Sequence, residues 1–322
     1  MKKNKVFILT EGGEGIGFGH ITRCSALYEE IEKYNLEVEF LVFGKGIEGI
    51  LEGKSYKNVD WKDINYLSKK ISKEDYIIID SYLTELEVYN WLSENTKKML
   101  IIDDNMRLDY PKSIVVNPSL YGSELEYPKN KNIEYLLGKD YMILRKEFNE
   151  VSKHKRKEKI EKILITVGGT DLNNLTPKLL KYLKEIDENF EINVIISKNF
   201  HNLDEIKNTM TAKTKLIYNL CAKEMKKIME SSDFAITACG QTIQELLILR
   251  VPFLGVVTAT NQKKNARILK KFDMYIIEDL NVEFLKEIKQ SLKDKKDLKK
   301  IIDGSGKNKI VAELLEEKIC NL

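Results

Sequence analysis

Short runs rich in isoleucine and valine alternate with longer segments of helical period along the whole chain, and the alternation is interrupted once, by a charged run. That pattern predicts βαβ units, and therefore parallel sheets with helices on both faces. In the first half the apolar runs are KVFIL (5–9), VEFLVF (38–43), YIIID (76–80), KMLIID (98–103) and SIVVN (113–117), with helical stretches between them such as Ile21 to Tyr34 and Glu85 to Asn95. Beyond the charged run SKHKRKEKIEK (152–162), the pattern resumes with KILITVGG (162–169), EINVIIS (191–197), TKLIYN (214–219), FAITAC (234–239), FLGVV (253–257) and MYIIED (274–279). A length of 322 residues exceeds the usual single domain. The expectation is an α/β protein of two Rossmann-like domains, 1–152 and 153–322, facing an interdomain cleft, with the charged run as linker.

Composition excludes several function classes. The net charge of +3, from 53 basic and 50 acidic residues, implies no polyanionic partner. The lysine-rich stretches Lys153 to Lys162 and Lys286 to Lys300 are interleaved with acids and lack the spacing of a nucleic-acid module, so they read as solvated helix faces. The opening MKKNKVFIL has an apolar run too short for a signal segment or a membrane span, and reads as the first strand of a cytoplasmic protein. Cys24, Cys221, Cys239 and Cys320 form no CxxC pair, and His20, His154 and His201 are dispersed, so structural zinc, a disulfide framework and a multi-histidine centre are not expected. Adjacent residues at a strand end point in opposite directions, which argues against Asp103 and Asp104 chelating one ion. No metal, no cofactor, no nucleic acid and no membrane insertion are expected, and the chain is expected to act as a monomer.

Two glycine-rich turns each follow the first strand of a half. EGGEGIGFGHITRC (11–24) packs five glycines into eight positions and then gives His20 at the start of a helical run. No register in it fits G-x-G-x-x-G and no Walker lysine follows, so neither a nicotinamide site nor a P-loop is indicated. In the second half, ILITVGGTDLNN (163–174) places Gly168 and Gly169 after a strand, then Thr170 and Asp171 before a helix. In doubly wound sheets such turns let backbone N–H groups approach a phosphate; a plain turn before a capped helix has the same sequence. In TACGQTIQELLILRVP (237–252) the strand ends at Cys239, Gly240 releases the backbone and Gln241 and Thr242 open a helix. Glu245 then stands where it can accept ribose hydroxyls or simply oppose the helix dipole.

Taken in order, GIGFGHITRCSAL (15–27), IIIDSY (77–82), LLGKDYMILRKEF (136–148), VGGTD (167–171), GQTIQELL (240–247) and TNQ (260–262) resemble the PseG family, the UDP-sugar hydrolases of pseudaminic acid biosynthesis. The resemblance runs over nearly the whole chain. It implies a GT-B-like fold, shared with spore-coat polysaccharide proteins and MurG, and metal-independent cleavage of UDP-2,4-diacetamido-2,4,6-trideoxy-β-L-altrose to free sugar and UDP. It places the family's catalytic histidine on His20 and further site residues on Tyr82 and Asn261, with Gln262 beside the phosphate or sugar. Gly17 and Gly19 would admit the sugar, and Arg23 either faces it or bonds a carboxylate. Gly168, Gly169, Thr170, Gly240, Gln241, Thr242 and Glu245 would hold UDP. One departure is visible: where the family commonly has Arg-x-Asp ahead of the glycines, this chain has Thr10, Glu11, Gly12 and Gly13, which bears on the sugar accepted.

Cleavage at an anomeric carbon needs a base of near-neutral pKa for the attacking hydroxyl, and imidazole meets that need. Read without the family, His20 is equally a turn histidine bonded to backbone. Two other functions share the scaffold: a GT-B glycosyltransferase using a UDP-sugar donor, and a nucleotide-sugar-binding protein without catalysis. The last segment, DGSGKNKIVAELLEEKICNL (303–322), reads as a helix packing back on the first domain, with Gly304 and Gly306 as turn residues.

Overall fold

The computed structural model describes residues 4–149, 159–171, 173–278, 284–294, 298 and 301–317. Most of the charged run, with His154 and the expected boundary at 152/153, lies outside the described residues, as do Cys320 and part of the second lysine stretch. Two compact units are present, Met1–Lys146 with Gly304–Leu322, and Glu147–Asp303.

In the first unit the strands are β1 (Lys5–Gly13), β2 (Glu37–Lys45), β3 (Tyr56–Asn58), β4 (Tyr76–Asp80), β5 (Lys98–Ile102), β6 (Ser113–Asn117) and β7 (Ile133–Leu137). They form one parallel sheet in the order β3-β2-β1-β4-β5-β6-β7. Helices α1 (Gly19–Ile31), α2 (Ile64–Lys70) and α3 (Leu86–Asn95) lie between strands. Because successive side chains on a strand face opposite ways, Val6 and Ile8 of β1 join one buried cluster with Ile21, Leu27 and Ile31 of α1, while Phe7 and Leu9 join another with Trp61, Tyr89 and Leu92. Burial on both faces is why the strand reads as an unbroken apolar run.

The first strand is longer than its apolar run. Thr10 to Gly13 continue the ladder beside Val42 to Lys45, and there the two backbones approach so closely that a Cβ on Gly44 would sit 1.7 Å from the Gly12 carbonyl oxygen, and one on Gly13 2.0 Å from that of Lys45. The first glycines of the motif therefore serve strand pairing. The turn proper is shorter, closed by Gly13 N–H to Gly17 O at 2.9 Å and Gly17 N–H to Gly13 O at 2.8 Å.

In the second unit β8 (Lys162–Thr166), β9 (Glu191–Ile196), β10 (Thr214–Tyr218), β11 (Phe234–Ala238), β12 (Phe253–Val256) and β13 (Tyr275–Ile277) form a parallel sheet in the order β10-β9-β8-β11-β12-β13. Its helices are α4 (Leu175–Ile186), α5 (Leu203–Thr209), α6 (Ala222–Ser231), α7 (Thr242–Ile248), α8 (Lys263–Lys271) and α9 (Phe284–Lys293). In each sheet the strand order reverses beside the first strand, at β1/β4 and β8/β11, the place where doubly wound sheets open a crevice at their carboxyl ends.

The final helix, α10 (Gly306–Leu315), packs on α1 in the first unit. Gly306 is its first residue rather than a turn glycine: a Cβ there would lie 2.2 Å from the Met142 carbonyl oxygen, so the helix backbone rests directly on that chain segment. Lys307 and Glu30 are both buried beneath it, Nζ to Oε2 at 3.9 Å. No helix among the described residues is long and apolar enough to cross a membrane.

Candidate functional site

Thr10 on β1 stands beside Asp80 on β4, and the Thr10 hydroxyl donates to the Asp80 carbonyl at 2.8 Å. Asp80 ends β4 and is fully buried. A buried carboxylate must be paired, and α1 supplies the partners. His20 and Arg23, three residues apart on one helix face, both reach it: His20 Nδ1 lies 2.6 Å from Asp80 Oδ1, Arg23 Nη2 donates to Oδ1 at 2.6 Å, and Arg23 Nε donates to Oδ2. Arg23 Nη1 continues to Asp104 Oδ2 at 2.6 Å, in the loop after β5.

This network sets the protonation states. Burial alone would raise the Asp80 pKa, but the charge and hydrogen bonds of Arg23, then those of His20, hold it down at about 2. Burial likewise works against a charged imidazole at His20, yet the Asp80 hydrogen bond and charge outweigh it, and the pKa stands above its ordinary 6.5. An ionised carboxylate can only accept, so the network assigns the proton to Nδ1 and leaves the lone pair on Nε2.

Tyr82 follows in the loop after β4. Its ring meets the His20 ring edge-on, centroids 4.7 Å apart, and its hydroxyl donates to Asp104 Oδ2 and accepts from Asn105 Nδ2, each at 3.3 Å. Burial and then the Asp104 charge push the phenol up to about 12, so it stays protonated. The Tyr82 N–H donates to Glu11 Oε1 at 2.6 Å, which ties this loop to the end of β1.

The structure brings His20, Arg23 and Tyr82 together. Arg23 bonds carboxylates: its side chain is 9% exposed and its guanidinium is engaged by Asp80 and Asp104. Gly17 and Gly19 leave open space where a Cβ would project. Asp103 and Asp104 diverge, Asp103 accepting from the Asn105 and Arg107 N–H groups at 2.8 and 2.7 Å while Asp104 faces Arg23. Among the described residues no cluster of three His, Cys, Asp or Glu could hold a metal ion.

The remaining residues lie in the second unit, in the loops leaving the carboxyl ends of three adjacent strands or, for Thr242 and Glu245, in the first turn of α7. Gly168, Gly169 and Thr170 follow β8, Gly240 to Thr242 follow β11, and Asn261 and Gln262 follow β12 in a short turn. Cross-links tie these loops: Asn173 Nδ2 donates to the Thr258 carbonyl at 3.4 Å and Asn265 Nδ2 to that of Cys239 at 3.1 Å. Gly168 (φ +101°), Gly169 and Gly240 have open space above them. The first N–H groups of α4 are not open, because Asp171 accepts from Leu175 N at 2.8 Å and Thr176 N at 2.9 Å. Gln262 Oε1 accepts from Thr258 N at 3.0 Å and so braces its own loop. Asn261 is exposed and Glu245 half-buried.

Sequence reasoning missed Asp80, Glu11 and Asp104 as site residues. Asp80 carried a readable signal: an acid closing an all-apolar strand must be buried and so demands a cation, and Arg23 is the arginine of the glycine-histidine motif.

The chain matches the glycosyltransferase family 28 C-terminal domain over residues 162–313. It is 33% identical over 268 residues to an uncharacterized protein of Methanocaldococcus jannaschii, covering 77% of this chain and 54% of that protein. It is 27% identical over 265 residues to the pseudaminic acid cytidylyltransferase and UDP-2,4-diacetamido-2,4,6-trideoxy-beta-L-altropyranose hydrolase of Helicobacter pylori, covering 81% of this chain and 46% of that one. The chain spans about half the length of the curated relatives it matches. Among solved structures, MurG of Acinetobacter baumannii has a TM-score of 0.68 at 14% identity, over 97% of this chain and 99% of that one. The UDP-GlcNAc 2-epimerase of Methanocaldococcus jannaschii has a TM-score of 0.58 at 15% identity, over 97% and 99%. These likenesses establish the fold as GT-B-like, built of two Rossmann-like domains.

Proposed function

We propose that this chain is an enzyme acting on a UDP-linked sugar, in which the second unit holds UDP and the first acts at the anomeric carbon with His20 as base. The observation that carries the reading is the 2.6 Å contact of His20 Nδ1 with a carboxylate held ionised, which leaves Nε2 able to take a proton. In the step proposed, Nε2 takes the proton of an attacking hydroxyl, the new C–O bond forms on the face opposite the nucleotide, and the bond to the diphosphate oxygen breaks with UDP leaving as the anion. Asp80 then stabilises the imidazolium, and Arg23 keeps Asp80 ionised and fixed. Tyr82 packs on the imidazole edge and orients the nucleophile or a sugar substituent. Gly168, Gly169, Thr170, Gly240, Gln241, Thr242, Glu245, Asn261 and Gln262 form the UDP side, supported by the position of these segments beyond the carboxyl ends of the adjacent strands β8, β11 and β12.

The attacking hydroxyl belongs either to an acceptor or to water. Transfer to an acceptor is supported by the family 28 domain match over 162–313 and by glycosyltransferases such as SnogD of Streptomyces nogalater among the folds alike, with a TM-score of 0.57 at 12% identity over 97% of this chain and 100% of that one. Hydrolysis of a diacetamido-trideoxy sugar is supported by the similarity to the Helicobacter pylori protein over 81% of this chain.

The test is incubation of the purified chain with a panel of UDP-sugars that includes UDP-linked diacetamido-trideoxy hexoses, with UDP and sugar products followed by mass spectrometry. Free sugar in buffer identifies hydrolysis; UDP release that depends on an added hydroxyl compound identifies transfer. His20→Ala is expected to lower UDP release at least about hundredfold; unchanged release in that variant removes His20 as the base.

A further inference from the structure

Three adjacent strands of the first sheet are each entered through a lysine: Lys98 opens β5, Lys112 precedes Ser113 of β6, and Lys131 stands two residues before Ile133 of β7. The register sets Leu100 beside Ile114 and Ser113 beside Ile133, so Lys98, Lys112 and Asn132 form one row along the amino edge of the sheet. Neighbours in such a row are about 4.8 Å apart. This edge holds a cavity of about 280 Å³ whose lining includes Lys97, Lys98, Lys112, Lys131, Asn132 and Glu134. The length of β5, roughly 15 Å, separates it from the loop of Asp103 and Asp104.

Four lysines share the cavity with one acid, and that acid is engaged elsewhere. Glu134 is hydrogen-bonded to Glu313 of α10, and burial together with that bond raises its pKa. Lys98 Nζ donates to the Glu313 carbonyl at 2.7 Å and lies 3.6 Å from Glu316 Oε1, while Lys97 Nζ donates to the neutral Tyr76 hydroxyl at 2.7 Å. The ammonium groups of Lys112 and Lys131, both exposed, have no hydrogen-bond or ion-pair partner among the described residues. Lys97 and Lys98 stand just past the end of α3, where a cation offsets the helix dipole. Lys112 and Lys131 enter strands and have no such role. Lysines spread over a convex face are solvated one by one; around a concavity their fields add, and an anion placed there meets several cations together.

We propose that this cavity binds a small phosphorylated anion, a phosphate ester or inorganic diphosphate, gripped by Lys112 and Lys131, with Lys97 and Lys98 completing the cationic wall and the Asn132 amide as a further donor. Lysine serves phosphate as a point charge that needs no fixed geometry. The volume stands at the lower end for small-molecule pockets, which fits an occupant about the size of a sugar phosphate. The site is separate from the His20 site and does not depend on the UDP-sugar reading.

The test is acetylation of the full chain with the N-hydroxysuccinimide ester of acetic acid at constant ionic strength, each lysine being read separately by mass spectrometry. Pyrophosphate and glucose 1-phosphate are the probes, sodium chloride and glucose the controls. Lys112 and Lys131 are expected to be protected along a saturating curve with its midpoint below about 1 mM, while the exposed Lys33 and Lys69 keep their reactivity. Protection by glucose 1-phosphate assigns the occupant to phosphate esters, and protection by pyrophosphate alone assigns it to inorganic diphosphate. Lys112→Ala is expected to raise the midpoint read at Lys131 about tenfold, the loss of one charge-assisted contact. Lys131→Ala read at Lys112 repeats the measurement should circular dichroism show the first variant unfolded. Pyrophosphate bound on the UDP side leaves both lysines reactive, so the two sites succeed or fail separately. The proposal is overturned by absence of protection from either probe, by equal protection from the controls or at Lys33 and Lys69, or by midpoints unchanged in the variants. Protection by polyglutamate where both small anions fail overturns it in favour of an acidic protein partner.

Discussion

Replacing Asp80 by asparagine preserves shape and removes the charge on which the site's protonation depends. The wild-type carboxylate fixes the proton on His20 Nδ1. An asparagine amide can instead donate to Nδ1, which moves the imidazole proton to Nε2 and disables the base. A turnover loss on the order of 10²–10⁴ is expected. Stability falls as well: the depression of the Asp80 pKa from 3.8 to about 2 corresponds to roughly 2–3 kcal/mol of folded-state preference for the ionised group. Breaking one side of a buried pair costs about 3–5 kcal/mol, and Asp104, which remains on Arg23, offsets part of that loss. The direct readout is the imidazole itself. With only three histidines in the chain, NMR resolves His20, and without the carboxylate its pKa is expected below 6.5, because burial and the Arg23 charge both lower it. A His20 titration midpoint unchanged in Asp80→Asn, or kcat/KM within about threefold of wild type, refutes the coupling.

Tyr82→Phe removes the hydroxyl from Asp104 and Asn105 while keeping the ring edge on His20; UDP release is expected to fall about 3–10-fold, with stability within about 1 kcal/mol on a chemical denaturation curve. Gly306→Ala sets a methyl against the Met142 backbone at 2.2 and 2.5 Å. It is expected to loosen α10 at a cost of about 1–3 kcal/mol, seen as a lower melting temperature and faster proteolysis of the last helix. Turnover is expected to persist in excess EDTA; complete loss restored by Mg²⁺ would count against a metal-free mechanism.

Much of the sheet architecture is legible in the sequence because both faces of each sheet are covered, so strands such as YIIID and FAITA stand out as continuous apolar runs. Two strands are not. Tyr56–Asn58 and Ile133–Leu137 are short, and their residues are mostly exposed or half-buried, so the apolar signal is missing. The end of β1 was hidden for another reason: Thr10 to Gly13 look like a turn, and only the approach of Gly44 explains glycine in a strand. In the site, His20 and Tyr82 are conspicuous as a histidine opening a helix and an aromatic closing a strand. The role of Asp80 depends on β1 lying beside β4, a pairing 70 residues apart that periodicity does not encode. Glu11 reads as turn filler until its Oε1 is seen under the Tyr82 N–H.

The two shifted pKa values act on stability in opposite directions, and their overlap yields a last prediction. His20 has a raised folded pKa, so its contribution is complete below the unfolded value of 6.5 and is lost as pH rises through the folded value. Asp80 has a depressed one, so its contribution is complete above 3.8 and is lost as pH falls through about 2. Between these limits, from pH 3.8 to 6.5, both contributions stand while His20 is protonated, so that Nε2 has no lone pair to offer for the proposed step. Mild acid should therefore stop turnover without dismantling the site, since the imidazolium pairs more strongly with the ionised Asp80 than the neutral ring does. The difference in melting temperature between wild type and His20→Ala is expected to grow on going from about pH 8 to about pH 5, and activity should return in full when the pH is restored. A difference that stays constant or shrinks over that interval means that the imidazole gains nothing from Asp80 on protonation, and the assignment of Nε2 as the free base then loses its foundation.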